Sequence, residues 1–85
     1  MNPVIEISDH ALGQMVERGV ARDEVLAAIA EGDIETARRG RLLYRKNFPF
    51  NRAWKGRVYR TKQVAPVVAK DDDKLIIVTV YAYYF

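Results

Sequence analysis

The sequence predicts an α+β domain in which an N-terminal two-helix hairpin packs on one face of a four-stranded, twisted antiparallel sheet. Three observations lead there. Apolar residues recur at helical spacing up to Gly32, the period then shortens to two, and residues 75–85 are rich in Ile, Val, Thr and Tyr. With 85 residues and 49% apolar content the chain is expected to form one domain, with 1–32 as the helical hairpin and 33–85 as the sheet.

Ser8 is the expected N-cap of the first helix. Ala11, Leu12, Met15 and Val16 follow at helical spacing, and Gly19 supplies a left-handed stop. The second helix spans residues 22–31. Asp23 and Glu24 suit its positive end, Val25, Leu26 and Ile29 form its apolar face, and Gly32 ends it. Residues 34–37 and 41–46 read as a hairpin around Arg38-Arg39-Gly40. Pro49 makes 47–53 a loop, since proline cannot donate to a ladder. A strand over 55–62 continues or re-forms over 63–69, with Pro66 marking an edge or a bulge. Asp71-Asp72-Asp73 is the turn into a last, centrally placed strand. Strict alternation in that strand sends Ile76, Val78, Val80 and Ala82 toward the helices. Leu75, Ile77, Thr79, Tyr81 and Tyr83 then face away.

Composition narrows the function. There is no cysteine and only one histidine, and the carboxylates are scattered, so neither a metal nor another cofactor is expected. The first ten residues lack a basic and then apolar leader, and the longest apolar run, 75–78, is too short for a bilayer. A soluble cytoplasmic protein with no membrane partner is the expectation. Charge is divided sharply: residues 1–35 carry a net −6 and residues 36–85 a net +9. From Arg38 to Lys62 there are ten cations, five aromatic rings and no carboxylate. Cations neutralise phosphates and rings stack on unpaired bases, so single-stranded RNA is the expected partner. The same asymmetry also suits an internal charge dipole or a homo-oligomer.

The succession Ile7-Ser8-Asp9-His10-Ala11, Met15-Val16-Glu17-Arg18-Gly19-Val20 and Asp23-Glu24-Val25 resembles a small bacterial family. It is the domain-of-unknown-function family numbered 4258. The block from Lys62-Gln63-Val64 to Ile77-Val78-Thr79-Val80-Tyr81 is similar to it as well. Ala21 departs from its pattern, standing where members carry a capping Ser or Thr. The resemblance implies two helices on a four-stranded antiparallel sheet. It also implies kinship with the barnase, EndoU, colicin and RelE-like ribonucleases, many of them toxins, and hence an acidic antitoxin protein as a partner.

Metal-independent RNA cleavage needs a base for the 2′-hydroxyl, a cation for the phosphorane and an acid for the leaving oxygen. His10 is the sole imidazole and the candidate proton carrier; otherwise it is an ordinary residue of a helix start. Lys62 is the candidate for charge stabilisation, or else an edge-strand lysine that blocks aggregation. Thr79 and Tyr81 share a strand face and could orient the phosphate or leaving group, or simply pack across strands. Arg18, about two turns after His10, could clamp a phosphate or merely answer the helix dipole. Arg45, Lys46, Arg57 and Arg60, with Trp54 and Tyr59, complete the expected RNA contacts. The alternative is a non-catalytic module that binds RNA or a protein through the same basic, aromatic sheet face.

Overall fold

In the computed structural model, which describes residues 4–85, the chain begins with a strand, β1 (Val4–Ile7), ahead of the helices. It continues through α1 (Asp9–Arg18), α2 (Arg22–Glu31), β2 (Asp33–Thr36), a 3₁₀ turn (Arg38–Gly40), β3 (Leu42–Trp54), β4 (Arg57–Asp71) and β5 (Lys74–Tyr84). The strands form one sheet in the order β1-β5-β4-β3-β2. β1 runs parallel to β5, and the other pairs are antiparallel. The expected four-stranded antiparallel sheet is thus corrected to a five-stranded mixed one. The added strand is four residues long and pairs Val4 with Lys74 at the other end of the chain, so no local turn announces it. No helix among the described residues is long and apolar enough to cross a membrane.

Both helices lie where the sequence puts them. Ser8 caps α1, its hydroxyl accepting from the Ala11 amide at 3.1 Å, and Gly19 stops the helix at φ 70°. A Cβ on Gly19 would stand 2.6 Å from the Trp54 ring, so both conformation and contact require glycine. Ala21 offers no capping side chain to α2. Glu24 instead reaches back to accept from the Ala21 amide at 2.8 Å. The core lies between the helices and one sheet face. Ala11, Met15, Val25 and Ala28 pack there on Tyr44, Val64, Val68, Ile77 and Val80.

Residues 47–53 are strand, not loop. β2 covers only Leu42 to Arg45 of β3, so the outer edge of β3 is free from Lys46 onward and Pro49 breaks no ladder there. A bulge follows: Pro49 pairs with Thr61 and Arg52 with Tyr59, leaving Phe50 and Asn51 opposite Arg60. The β3–β4 arm closes in a two-residue turn, Lys55-Gly56, with φ of 50° and 83°, as a type I′ hairpin requires. Pro66 lies inside β4, fully buried. The β3–β4 ladder is interrupted opposite it, between the Leu43–Val67 and Lys46–Val64 pairs.

β5 departs from strict alternation. Val67 pairs with Thr79 but Val68 pairs with Ile77, so Val78 is an extra residue. Val80 and Ala82 face the helices as expected, and so do Ile77 and Leu75, against expectation. A one-residue bulge exchanges the two faces, and periodicity alone cannot place it. The bulge sits where β1 ends and α1 takes over its edge. The Ser8 amide donates to Ile77 O at 3.0 Å and its hydroxyl to Val78 O at 3.4 Å. Gln14 Oε1 accepts from Val80 N at 2.8 Å, and Arg18 Nη1 donates to Val80 O at 2.7 Å. Side chains of a helix thereby satisfy backbone groups that a longer β1 would have paired.

Among the described residues Lys62 is the one buried charged side chain, 3% exposed on the helix side of β4. Its ammonium donates to the Gly19 carbonyl and, at 2.7 Å, to Glu24 Oε1, which also serves Ala21. One lysine thus fixes the turn between the helices to the sheet. Removing a single partner of a buried pair strands the other charge. Lys62→Ala should therefore lower the unfolding free energy by on the order of 3 kcal/mol, with Lys62→Met/Glu24→Gln recovering much of it, both read from urea denaturation.

Candidate nucleic-acid interface

The helices cover one side of the sheet and leave the other bare. Thr79, Tyr81 and Tyr83 stand on the bare side of β5 at alternate positions, between residues packed against the helices. Their register partners on β4 are Val67, Ala65 and Gln63. Tyr81 and Tyr83 stack with centroids 6.4 Å apart and an interplanar angle of 24°. The Arg18 guanidinium lies 5.5 Å from the Tyr81 centroid, and that of Arg45 lies 5.8 Å from Tyr83. Cation, ring, ring and cation follow one another across the face. The two rings remain 39% and 44% exposed.

Different elements deliver the two arginines. Arg18 comes around the β5 edge from the last turn of α1, held by its bond to Val80 O. Its other N–H groups make no hydrogen bond among the described residues. Arg45 rises from β3, donating to both Glu35 carboxylate oxygens at 3.3 and 3.2 Å and to Gln63 Oε1 at 3.0 Å. The hydrogen bonds to Glu35 hold its guanidinium still more firmly protonated than usual, against the opposing effect of burial. A groove of about 600 Å³ opens beside Tyr81, over Leu43, Val67 and Thr79, with the Thr36–Arg41 crossing as its far wall.

His10 is exposed in the first turn of α1. Positions 10, 14 and 18 recur at one-turn spacing, so His10 leads the stripe on which Gln14 and Arg18 grip the β5 edge. Thr79, Tyr81, Arg18 and Arg45 thus share the bare face, and His10 stands exposed on α1 one turn before Gln14. Lys62 lies on the opposite side of the sheet, so it does not converge with Thr79 and Tyr81. Lys46 also points to the helix side, pairing with Glu31 at 3.2 Å. Arg57 and Arg60 are exposed on the β3–β4 arm.

Trp54 and Tyr59 belong to a separate aromatic cluster. Trp54 stacks on Tyr84 at 5.0 Å, Phe50 meets that ring edge-on at 5.2 Å, and Tyr59 lies 5.7 Å away. These rings anchor the arm to the domain. Sequence reasoning counts Arg38 and Arg41 within the basic run and puts Tyr83 on the outward row without singling any of them out for the site, and it misses Gln63. Strand periodicity places Tyr83 beside Tyr81, whereas the position of Arg38 and Arg41 depends on how the chain crosses from β2 to β3. Among the described residues no three His, Asp or Glu side chains gather as a metal would need.

Tyr84 donates to the Arg18 carbonyl at 2.6 Å, joining the cluster to the rim. Burial raises its pKa, the nearby charge of Glu24 adds to this, and Arg52 opposes it. The folded state therefore holds the phenol neutral where the unfolded chain begins to ionise, and this stabilisation is lost as pH rises above about 10. Urea midpoints measured from about pH 9 to 11 should fall in the native chain, with the component due to Tyr84 absent in Tyr84→Phe.

No curated protein and no solved structure matches this chain. A family match does extend over residues 7–82, taking in α1, α2, the arm and nearly all of β5. The sequence between Ile7 and Ala82 therefore makes the chain a member of the family described as domain of unknown function DUF4258.

Proposed function

We propose that the bare sheet face binds single-stranded RNA. The run Arg18, Tyr81, Tyr83, Arg45 supports this most directly: two exposed, stacked rings are flanked by guanidinium groups on a face that no helix covers. Aromatic rings on a sheet surface stack on splayed bases, and guanidinium groups bind the phosphates between them. Arg57 and Arg60 on the arm add long-range attraction. Binding to a labelled single-stranded RNA should weaken with salt at a slope of about −0.7 per phosphate neutralised. Tyr83→Ala should cost about 1–3 kcal/mol. Absence of binding at about 50 mM salt would end this reading.

The His10–Gln14–Arg18 stripe favours a second reading, metal-independent endoribonuclease activity at the same face. The kinship with toxin ribonucleases that the family resemblance implies agrees with it. His10 takes the proton of a 2′-hydroxyl, the 2′-oxygen attacks phosphorus, and the P–O5′ bond breaks as O5′ takes a proton from solvent, leaving a 2′,3′-cyclic phosphate and a 5′-hydroxyl. Arg18, not Lys62, is the cation placed to stabilise the phosphorane, and Thr79 and Tyr81 orient the phosphate and leaving group. An acidic antitoxin protein would silence such an enzyme by covering the face. Cleavage should persist in EDTA, and His10→Ala should reduce its rate about 10²- to 10⁴-fold while RNA affinity holds. An undiminished rate in that variant would remove His10 from the chemistry.

A further inference from the structure

We propose that the groove beside Tyr81 is a subsite for one unpaired nucleotide, with its base on the sheet and its phosphate at Arg38 and Arg41. This rests on the RNA-binding reading and specifies where the strand is anchored. Leu43, Val67 and Thr79 form one register row across β3, β4 and β5, so the floor is two aliphatic side chains and a hydroxyl. Tyr81 stands at one side of that row, and the backbone crossing from β2 to β3 forms the other. The crossing is a fixed turn: the Ala37 amide donates to Arg41 O at 2.8 Å and the Arg41 amide to Arg38 O at 3.2 Å. Arg39 occupies the left-handed region at φ 60° within it and does not line the groove.

Charge and volume select the ligand. Arg38 and Arg41 form no ion pair among the described residues, and no carboxylate lines the groove. A second notch of about 320 Å³, beside the end of α2, makes the contrast: Glu31 and Asp33 line it together with Arg45 and Lys46, so its charges largely cancel. The groove by Tyr81 instead combines an apolar floor, a ring wall and two unneutralised guanidinium groups. An anion alone would leave the floor and ring unused, and an apolar ligand would leave the arginines unused. A base joined to a phosphate uses both, and about 600 Å³ lies within the usual range of small-molecule sites. The Thr79 hydroxyl offers a donor and an acceptor to the edge of the base.

The test uses the full chain with a single-stranded RNA octamer, the four nucleoside 5′-monophosphates, the free nucleosides and inorganic phosphate. At least one monophosphate should bind more tightly than both its nucleoside and phosphate, and should shift the methyl resonances of Leu43 and Val67. Arg38→Ala/Arg41→Ala should weaken monophosphate binding at least tenfold, while Arg39→Ala, which removes a cation from the same turn, should change it less than twofold. Equal losses from Arg38→Ala, Arg39→Ala and Arg41→Ala would reduce the site to a diffuse basic patch and overturn the proposal. Phosphate binding as tightly as the monophosphates would also overturn it, leaving only an anion site. If the octamer binds but no monophosphate does, the subsite fails and the RNA reading stands. If a monophosphate binds as described but the octamer does not, the subsite stands and the RNA reading fails.

Discussion

A strand longer than its neighbour must find other partners for its backbone, and in this protein that requirement falls on the β5 edge. β1 ends opposite Ile77, while β5 continues to Tyr84. An unsatisfied buried amide or carbonyl costs about 1–3 kcal/mol, so three such groups would threaten a domain of this size. Ser8, Gln14 and Arg18 meet them from α1. That single solution fixes the direction of α1 along β5, and it carries Arg18 around the rim to Tyr81. It also leaves the far side of the sheet uncovered, because both helices are committed to the near side.

The divided charge of the sequence resolves into two populations. Some acids of the first half are matched inside the fold: Glu24 by Lys62, Glu31 by Lys46 and Glu35 by Arg45. These pairs connect α2 and β2 to the sheet. Among the described residues Arg38 and Arg41 on the β2–β3 crossing, and Arg57 and Arg60 on the arm, are cations without such partners. An internal dipole and an outward basic surface therefore coexist, one contributing to the fold and the other giving the protein its long-range field.

What was legible in the sequence follows the range of the interactions involved. Both helices are readable because Ser8, Gly19 and Gly32 act on residues within a turn of themselves. β1 is not, since its partner is Lys74 to Ile77. Pro49 signals loop under a rule that holds for paired strands, and only the tertiary fact that β2 stops short suspends it. The β5 rows are half readable, correct beyond Val78 and inverted before it. Lys62 shows the same limit for the site, because a lysine on a strand discloses neither its face nor the acid that waits across the core. Thr79, Tyr81 and Arg18 come together because strand period and helix period each survive intact over those residues.

The free outer edge of β3 has a consequence for the behaviour of the chain in bulk. A long hairpin of alternating rings and aliphatics is the kind of sequence that recruits identical copies into fibrils. Here the exposed rim has no amide hydrogen to offer at Pro49, kinks through Asn51 at φ 50°, and carries cations at Lys46, Arg52 and Lys55. A second molecule that tried to extend the ladder would meet a missing donor, a bent track and like charge within a few residues. The arm can therefore project into solvent at high local concentration without acting as a template for its own polymerisation.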